Sequence, residues 1–524
     1  MKTKRIMMTV LLSLLALSFV FAEGQAETKT DNGLTHIEMW YNATQTEVGP
    51  LPDDWVGYDI LRDEFGIELE AYSLPSNTDD QEVKIRAAMA ADELPDFFVA
   101  SRAAFLDLVK AGMVADVTDC YALMPERTAI MFDQDAINFT TIDGRSYGFG
   151  TPSVIVKNEG LVIRKDWLDN LGLEIPTTID ELYDVMYAFT YNDPDGNGKN
   201  DTYGFGAFIE TGSGHEIYPG RRFQPLLGAF ASEGTWDMSA DNFGLQVRQP
   251  EYYDFMVVLK KMMETGVIDP TWMAYKKDDF RAAWKQGKFG IFREQNSALH
   301  SENNYAPFDK NFPEGELIVI DPPVGPNGDS SVGPAVRGLR IWCVSADAAA
   351  EGKLEKICEM FEWMGAGEGY ILCGWGQEGI NFYYDEAGIP VSLDTDAQLG
   401  FGQAVGQTYI QLRSMAFNYA SDLELVSRYP SYNAPTSGKP MSSLETLYDM
   451  QSRKWTMTNG QDSMPLPTTD LKTFYEQGIA EFLTGKRELT KDNWTKWVAE
   501  LDKMGATAWE AEGKAYAEAN SYLI

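Results

Sequence analysis

Residues 193–201 read Asp-Pro-Asp-Gly-Asn-Gly-Lys-Asn-Asp, and the interpretation of this 524-residue chain starts from them. Oxygen-bearing side chains stand at alternate positions, and the sixth position is a glycine, where calcium-binding loops turn sharply. Ca²⁺ takes six to eight oxygen ligands from a flexible loop, so the spacing predicts a structural calcium site. The predicted ligands are Asp193, Asp195, Asn197, Lys199 through its backbone carbonyl, Asp201 and Thr202.

The end of the pattern differs from a standard EF-hand. Its twelfth position is Gly204, where an EF-hand carries the glutamate that binds calcium through both oxygens. An ordinary EF-hand is therefore not expected, and a bidentate ligand would have to come from Asp201 or from another part of the chain. The alternative interpretation is a solvated Asx-Gly turn that joins two secondary-structure elements without an ion.

A helix is predicted immediately before the loop. Thr178 and Glu181 form a capping box, and Pro176 stands just ahead of it. The apolar residues that follow recur at helical spacing, at Leu182, Val185, Met186 and Phe189. The loop therefore closes this helix and leads into Thr-Tyr-Gly-Phe at residues 202–205.

Residues 164–204 as a block resemble the family 1 extracellular solute-binding proteins of ABC importers. The resemblance is closest to their large, calcium-containing oligosaccharide- and alginate-binding subgroup. In that subgroup a strand ends in Arg-Lys-Asp-Trp-Leu, a Leu-Gly-Leu-x-x-Pro-Thr-Thr turn follows, and a helix leads into Asp-Pro-Asp-Gly-Asn-Gly-Lys. This chain has all three, at residues 164–168, 171–178 and 193–199, although Thr202 stands where relatives carry an acidic residue.

The resemblance implies an α/β, two-lobe periplasmic-binding-protein fold with a ligand cleft between the lobes. Each lobe is expected to be a mainly parallel sheet with helices on both faces, and alternating strand and helix patterns over residues 35–118 agree with this. A hinge is expected near 152–156. The predicted division is 28–152 plus about 333–385 for the first lobe, and 156–325 plus about 390–524, with the calcium loop 193–202, for the second.

Residues 1–22 have the composition of a cleavable signal peptide. Basic residues precede an apolar run at 7–21, and Ala22 suits a cleavage site, with a cut after Ala26 as an alternative. A retained membrane anchor is disfavoured because the apolar run is short for a span of about 20 residues. The first cysteine is Cys120, so we expect no lipid attachment and a soluble periplasmic protein.

The charge and cysteine content restrict the partners and the covalent framework. The formal net charge is −36, which argues against binding to nucleic acid or anionic lipid through the overall field and is compatible with attracting Ca²⁺. Four cysteines in a chain of this length do not make a disulfide scaffold, although an oxidising compartment allows bridges. We expect a bridge among Cys343, Cys358 and Cys373, which lie in one region.

Sugar recognition requires aromatic platforms for the CH faces of the rings and bidentate polar side chains for the hydroxyl edges. Clefts between domains are the usual place for such groups, so residues at strand ends, in inter-lobe loops and beside glycines are the candidates. Most tryptophans in any protein serve packing instead, and that alternative applies to each one here. The predicted ligand contacts are Trp40, Tyr41, Arg222, Trp236, Arg293, Glu294, Arg337, Trp342 and Trp375.

The resemblance implies the substrate-binding component of an ABC importer, a monomer that delivers an oligosaccharide to the transmembrane permease subunits. The alternative is an exported, calcium-stabilised hydrolase or lyase acting on glycans. A hydrolase needs two carboxylates about 5–10 Å apart, and no motif nominates such a pair. A calcium-loop adhesion module is less favoured because the loop occurs once. We therefore expect a binding protein without enzymatic activity.

Overall fold

The computed structural model describes residues 33–42, 50–75, 78–152, 157–209, 219–232, 234–334, 339–393, 408–413, 422–456 and 464–523. The strands are β1 Thr35–Tyr41, β2 Ile67–Ser73, β3 Phe97–Ala100, β4 Thr141–Ile142, β5 Arg145–Ser146, β6 Phe149–Pro152, β7 Glu159–Arg164, β8 Tyr203–Gly206, β9 Trp236–Asp237, β10 Gly244–Leu245, β11 Phe289–Gln295, β12 Leu317–Ile320, β13 Leu339–Val344, β14 Phe382–Tyr384, β15 Pro390–Ser392, β16 Tyr432–Asn433 and β17 Pro440–Met441. The α-helices are α1 Val56–Phe65, α2 Thr78–Ala91, α3 Arg102–Ala111, α4 Pro125–Met131, α5 Gln134–Thr140, α6 Lys165–Leu171, α7 Ile179–Tyr191, α8 Gln224–Leu227, α9 Pro250–Glu264, α10 Lys277–Lys285, α11 Asn296–His300, α12 Glu302–Asn311, α13 Ala346–Ala350, α14 Leu354–Gly365, α15 Gly367–Trp375, α16 Asp422–Arg428, α17 Ser443–Ser452, α18 Thr469–Thr484, α19 Lys491–Lys503 and α20 Ala506–Ala519.

The first lobe is built on a five-stranded sheet with the order β2-β1-β3-β13-β6. β1 pairs in parallel with β2 and β3, whereas β13 lies antiparallel between β3 and β6. The side chains of β1 alternate as a half-buried strand requires, with Ile37, Met39 and Tyr41 fully buried. Four of the five strands therefore share one direction, and β13 is the exception.

The second lobe is built on a four-stranded sheet with the order β12-β7-β11-β8. β11 is parallel to β8, and β7 runs antiparallel to both β11 and β12. The reversed strand in each sheet is the first one that the chain adds to that sheet after leaving the other. The prediction of a two-lobe α/β fold is confirmed, with one reversed strand in each mainly parallel sheet.

The local signals before the calcium-type loop give the predicted helix. The Thr178 hydroxyl accepts a hydrogen bond from the Glu181 backbone N–H (3.2 Å), and the Glu181 carboxylate accepts one from the Thr178 N–H (3.1 Å). This capping box satisfies two donors at the start of α7. The apolar face of α7 is buried in the second lobe, through Leu182, Val185, Met186 and Phe189.

Each lobe has its own hydrophobic core, and each core draws on distant parts of the sequence. The first core joins residues of 37–149 to residues of 341–373. The second core joins residues of 161–320 to the C-terminal helices α18, α19 and α20, where Trp494 and Trp497 are buried. Neither lobe is therefore a continuous stretch of chain.

Residues 408–413 and 422–428 lie with the first lobe, whereas the predicted division placed everything after about 390 in the second. Leu412 belongs to the first core, and the Tyr409 hydroxyl donates to Asp54 at 3.3 Å. Helix α16 packs on the end of α15, where Glu424 accepts a hydrogen bond from the Trp375 indole. Of the hinge predicted near 152–156, residue 152 ends β6, and residues 153–156 lie outside the described residues.

The four cysteines are all described, buried and unbridged. Cys358 is hydrogen-bonded to Cys120, not to Cys343 or Cys373, so the expected bridge among the three later cysteines is wrong for this structure. Across the described ranges, no helix combines the length and the apolar character needed to cross a membrane.

Candidate ligand-binding site

A cavity of about 320 Å³ lies beside the segment that leads from the second sheet back towards β13. Small-molecule pockets have volumes of about 300–1,000 Å³, so the cavity is large enough for a small ligand. It offers hydroxyls, one acid, one base and one indole ring. The lining residues are Gly228, Ala231, Asp329, Ser330, Ser331, Lys454, Trp455 and Thr456.

Two segments that are far apart in the sequence form one wall of this cavity. The Val332 N–H donates to the Lys454 carbonyl at 2.8 Å, and the Thr456 N–H donates to the Gly333 carbonyl at 3.1 Å. These bonds flank Trp455 on both sides along the backbone. The position of the indole ring is therefore fixed by the same pairing that closes the wall.

The opposite wall depends on close backbone contact. A Cβ atom at Gly228 would stand 2.2 Å from the Ser331 carbonyl oxygen, and one at Gly325 would stand 1.5 Å from the Ala229 carbonyl oxygen. Real Cβ atoms do not approach so closely, so these two positions require glycine in this packing. Ser331 also accepts a hydrogen bond from the Thr456 hydroxyl at 2.7 Å, which joins the two walls.

Trp455 has the properties of a platform for a sugar ring. Its side chain is half-buried at the cavity, and its indole N–H donates to the Met450 carbonyl at 2.9 Å. The Arg293 guanidinium carbon lies 5.9 Å from the centre of the ring. Because the ring is held in place and borders hydroxyls and charges, it suits a ligand with apolar faces and polar edges.

A buried network of charged side chains lies close behind Trp455. The Arg293 Nε lies 3.3 Å from a Glu159 carboxylate oxygen, and an Arg222 Nη lies 3.7 Å from the other oxygen. Burial by itself raises the pKa of Glu159, but the charges of Arg222, Arg293 and Arg221 hold that pKa well below its usual range. Glu159 is therefore a carboxylate in the folded protein.

The network continues along β11 and reaches the cavity wall. Glu294 accepts two hydrogen bonds from Arg281, both at 3.1 Å. Arg293 donates to the Gln224 side chain, and Gln224 packs against Gly333 of the wall, whose φ is +129°. A substitution in this network would therefore shift Gln224 and, through it, the cavity wall at Gly333.

The structure brings together three of the predicted ligand contacts, namely Arg222, Arg293 and Glu294, in this network. They are almost completely buried and bonded to protein groups, so their position is behind the cavity and not in its lining. Trp40 lies half-buried in the first lobe, where its indole donates to Glu38 at 2.8 Å. Arg337 lies outside the described residues.

Four other predicted contacts are packing residues in this structure. Trp236 stacks on Phe243, Trp342 stacks on Phe97, and both are fully buried. Trp375 and Tyr41 are also fully buried; the Tyr41 hydroxyl accepts the Leu51 N–H at 2.7 Å. The physical reason is the one weighed above: a large ring is most often held inside a core, and none of these four offers an exposed face to a ligand.

The residues that line the cavity were not singled out from the sequence. Trp455 stands in Ser-Arg-Lys-Trp-Thr at 452–456, which matches no motif. The one available signal was the glycine- and serine-rich composition of 325–333, which is typical of backbone that approaches another segment closely.

The loop at 193–201 has the backbone of a cation-binding turn. Asp193 accepts hydrogen bonds from the N–H groups of Asn197 and Gly198, both at 2.9 Å. The Asn197 amide bonds to Asp195 at 2.8 Å and to Asp201 at 3.1 Å, so these carboxylates converge on it. Burial raises the pKa of Asp195, and its neighbours Asp193 and Asp201 raise it further.

The fit to calcium is partial. Crowded carboxylates repel one another, and a bound cation would relieve this. Among the described residues, however, no three His, Cys, Asp or Glu side chains are arranged to hold a metal ion. Thr202 is a poor ligand, because its buried hydroxyl donates to the Phe189 carbonyl at 2.8 Å.

The comparison with protein families decides the identity of the fold. The sequence profile of the bacterial extracellular solute-binding proteins matches residues 60–369, more than half of the chain. The chain belongs to this family. The solute-binding protein has the two-lobe arrangement that the resemblance implied, and its cavity adjoins the connection between the lobes.

Curated relatives resemble part of this solute-binding protein. The polygalacturonan/rhamnogalacturonan-binding protein YtcQ of Bacillus subtilis is 28% identical over 58% of this chain and 59% of its own length. The fructooligosaccharide ABC transporter substrate-binding protein FusA of Streptococcus pneumoniae is 28% identical over 48% of this chain and 49% of its own. The matches thus span about half to three-fifths of those relatives.

Solved structures match over more of the chain. FusA of S. pneumoniae in complex with kestose superposes with a TM-score of 0.66 at 19% identity, covering 93% of this chain and 100% of that one. An EF-hand mutant of FusA with fructo-nystose superposes with a TM-score of 0.67 at 18% identity, with the same coverage. At this identity the likeness establishes the fold of the solute-binding protein.

Proposed function

We propose that this protein is the substrate-binding component of an ABC importer and that it captures an oligosaccharide for delivery to the membrane permease. The observation that carries the proposal is the cavity beside the inter-lobe connection, with Trp455 fixed among hydroxyl and charged groups. In a solute-binding protein, a cavity that combines an indole ring with hydroxyl and charged groups is suited to binding a sugar. The relatives YtcQ and FusA, named for polygalacturonan/rhamnogalacturonan and fructooligosaccharide, support the same class of ligand.

In this proposal the cavity binds the ligand by two complementary surfaces. The Trp455 ring packs against the CH face of a sugar, while Asp329, Lys454 and the serine and threonine hydroxyls bond its edges. Ser331 also belongs to the chain that continues towards the first lobe. Contact there favours the closed arrangement of the lobes over the open one, and this differential affinity lets a permease distinguish loaded from empty protein.

Export is part of the same proposal. Residues 1–22 act as a cleavable signal, and the protein works in the periplasm, where it meets both its ligand and the permease subunits. Residues 1–32 lie outside the described structure. The protein binds its solute without converting it.

Thermal denaturation across a panel of neutral and acidic oligosaccharides tests this function. A ligand specific for the folded state adds RT ln(1 + [L]/Kd), about 2.7 kcal/mol at a hundredfold excess over Kd, so we expect a clear rise in Tm with one sugar class. The sugar should be recovered unchanged by chromatography. Consumption of the sugar would establish the glycan-active enzyme instead, and no shift with any sugar would contradict carbohydrate binding.

We propose, second, that the loop at 193–201 binds a structural calcium ion. The side-chain oxygens of Asp193, Asp195, Asn197 and Asp201 would hold it, with the Lys199 carbonyl as a further ligand. The converging carboxylates support this assignment, and calcium would offset their mutual repulsion. The existence of an EF-hand mutant of FusA agrees with a calcium loop in a protein of this fold.

Removal of calcium is expected to destabilise the second lobe. EDTA should lower the Tm, added CaCl₂ should restore it, and elemental analysis should find about one calcium per chain. The double variant Asp193→Ala/Asp195→Ala should lose this response. Asp184→Ala, which removes an exposed acid from the neighbouring helix α7, should keep it. An unchanged Tm together with metal-free protein would contradict the assignment.

A further inference from the structure

Cys120 and Cys358 lie against each other in the core of the first lobe. Cys120 is on the short helix Thr118–Leu123, and Cys358 is on α14. Both side chains are buried, and a hydrogen bond joins the two sulfur atoms. This pair is not used by the ligand cavity or by the calcium loop.

Several contacts hold α14 against α4, the helix that directly follows the one carrying Cys120. The Glu362 carboxylate accepts hydrogen bonds from the N–H groups of Glu126 and Arg127, at 2.8 and 3.0 Å. The Arg127 guanidinium carbon lies 3.5 Å from the centre of the Phe361 ring. Phe361 and Glu362 stand one turn after Cys358, so the same face of α14 meets this part of the chain.

The Cys120 and Cys358 thiols perturb each other's pKa. The hydrogen bond from Cys358 lowers the pKa of the Cys120 thiol, although burial opposes this, and the same bond raises the pKa of Cys358. The thiolate is the form that attacks a disulfide. Cys343 and Cys373 differ, because burial raises the pKa of each and neither has a cysteine as its hydrogen-bond partner.

We infer that Cys120 and Cys358 form a disulfide bond when the exported protein folds. The Cys120 thiolate attacks one sulfur of an external disulfide, a low-molecular-weight or protein disulfide donor, and releases one thiol. The Cys358 thiolate then attacks the mixed disulfide at Cys120 and releases the second thiol. Two electrons pass from the cysteine pair to the donor, and the two cysteine protons end on the released thiols.

The position of this bridge gives it a particular effect. Cys120 precedes the excursion of the chain through the second lobe, and Cys358 follows it, so the bond links the two pieces of the first lobe. A disulfide that closes a long loop stabilises a protein mainly by restricting its unfolded chain. The oxidised protein should therefore melt at least about 3 °C above the reduced protein.

The full chain without its signal, refolded in a mixture of reduced and oxidised glutathione, tests the inference. Alkylation in denaturant followed by peptide mapping should find Cys120 linked to Cys358, with Cys343 and Cys373 as free thiols. Cys120→Ala and Cys358→Ala should each abolish the linkage and the difference in Tm caused by reduction. The matched controls Cys343→Ala and Cys373→Ala should retain both.

Mapping of the wild-type protein decides the question even where a variant fails to fold. Four alkylated cysteines after oxidative refolding would overturn the inference. A bridge from Cys120 or Cys358 to one of the other two cysteines would overturn it as well.

Discussion

Replacing Trp375 with alanine is expected to lower the free energy of unfolding by about 3–5 kcal/mol and to leave sugar affinity unchanged. The ring is fully buried beside Phe382, and its indole N–H donates to Glu424 at 2.7 Å. The Arg428 guanidinium carbon lies 3.7 Å from the ring centre. Truncation leaves a cavity in the core, and it also removes a hydrogen-bond donor from the buried Glu424 carboxylate. Both changes destabilise the folded protein.

Trp455→Ala is the matched control, since it also removes an indole ring, but from the cavity wall instead of the core. There we expect sugar affinity to fall at least about tenfold, which corresponds to about 1.4 kcal/mol, with a much smaller effect on unfolding than Trp375→Ala has. Urea denaturation and titration calorimetry measure the two properties separately. If Trp375→Ala abolished binding while Trp455→Ala did not, the cavity would not be the ligand site.

Arg293→Met is expected to lower the free energy of unfolding by about 3–5 kcal/mol at pH 7. The substitution leaves the buried Glu159 carboxylate without the Nε that lies 3.3 Å from it, and it also removes the bond to Gln224 at the cavity wall. Taking one partner from a buried ion pair costs far more than removing an exposed pair, because a desolvated charge remains.

The pH dependence separates this mechanism from simple loss of packing. The folded-state pKa of Glu159 lies below its unfolded value, so its ion pairs add stability that is full above about pH 4.3 and is lost as pH falls further. Arg293→Met raises that folded-state pKa. The difference between wild type and variant should therefore be largest at pH 7 and smaller near pH 3. A constant difference across this range would assign the loss to packing.

Arg453→Met is the control for this experiment. Arg453 pairs with Asp321 at 3.1 Å and with Asp449 at 2.5 Å, at a partly exposed position. Exposed pairs contribute about 0–1 kcal/mol, so its loss should be small and nearly independent of pH above the ordinary range of aspartate. Adding Glu159→Gln to Arg293→Met should recover part of the lost stability, because the uncompensated charge is then gone.

The parts of the fold that depend on residues close together in the sequence could be predicted from it. Thr178 and Glu181 cap α7 because they are three residues apart, and α7 ends in the calcium-type loop as its spacing predicts. Apolar and other side chains alternate over residues 36–41, as a half-buried strand requires, and β1 forms at Thr35–Tyr41. Such features are determined within one or two turns of chain and need no knowledge of distant segments.

The cavity depends on contacts that no local pattern encodes. Trp455 becomes part of a wall because residues 332–333, more than a hundred positions away, pair with its neighbours Lys454 and Thr456. Glu159 and Arg293 meet because β7 and β11 are adjacent and antiparallel, and this pairing cannot be read from the sequence. Trp236, Trp342 and Trp375, which were predicted as sugar contacts, are buried for a related reason: packing determines whether a side chain is exposed, and residue type alone does not.

The strand order of the first sheet has a consequence for the order in which the chain assembles. β13 occupies the place between β3 and β6, and the chain reaches it only after all four strands of the second sheet. Until β13 has been made, the edges of β3 and β6 that it will join have no strand to pair with. Those edges are ready templates for aggregation until the missing strand arrives. The first sheet is therefore completed only after all strands of the second sheet have been made.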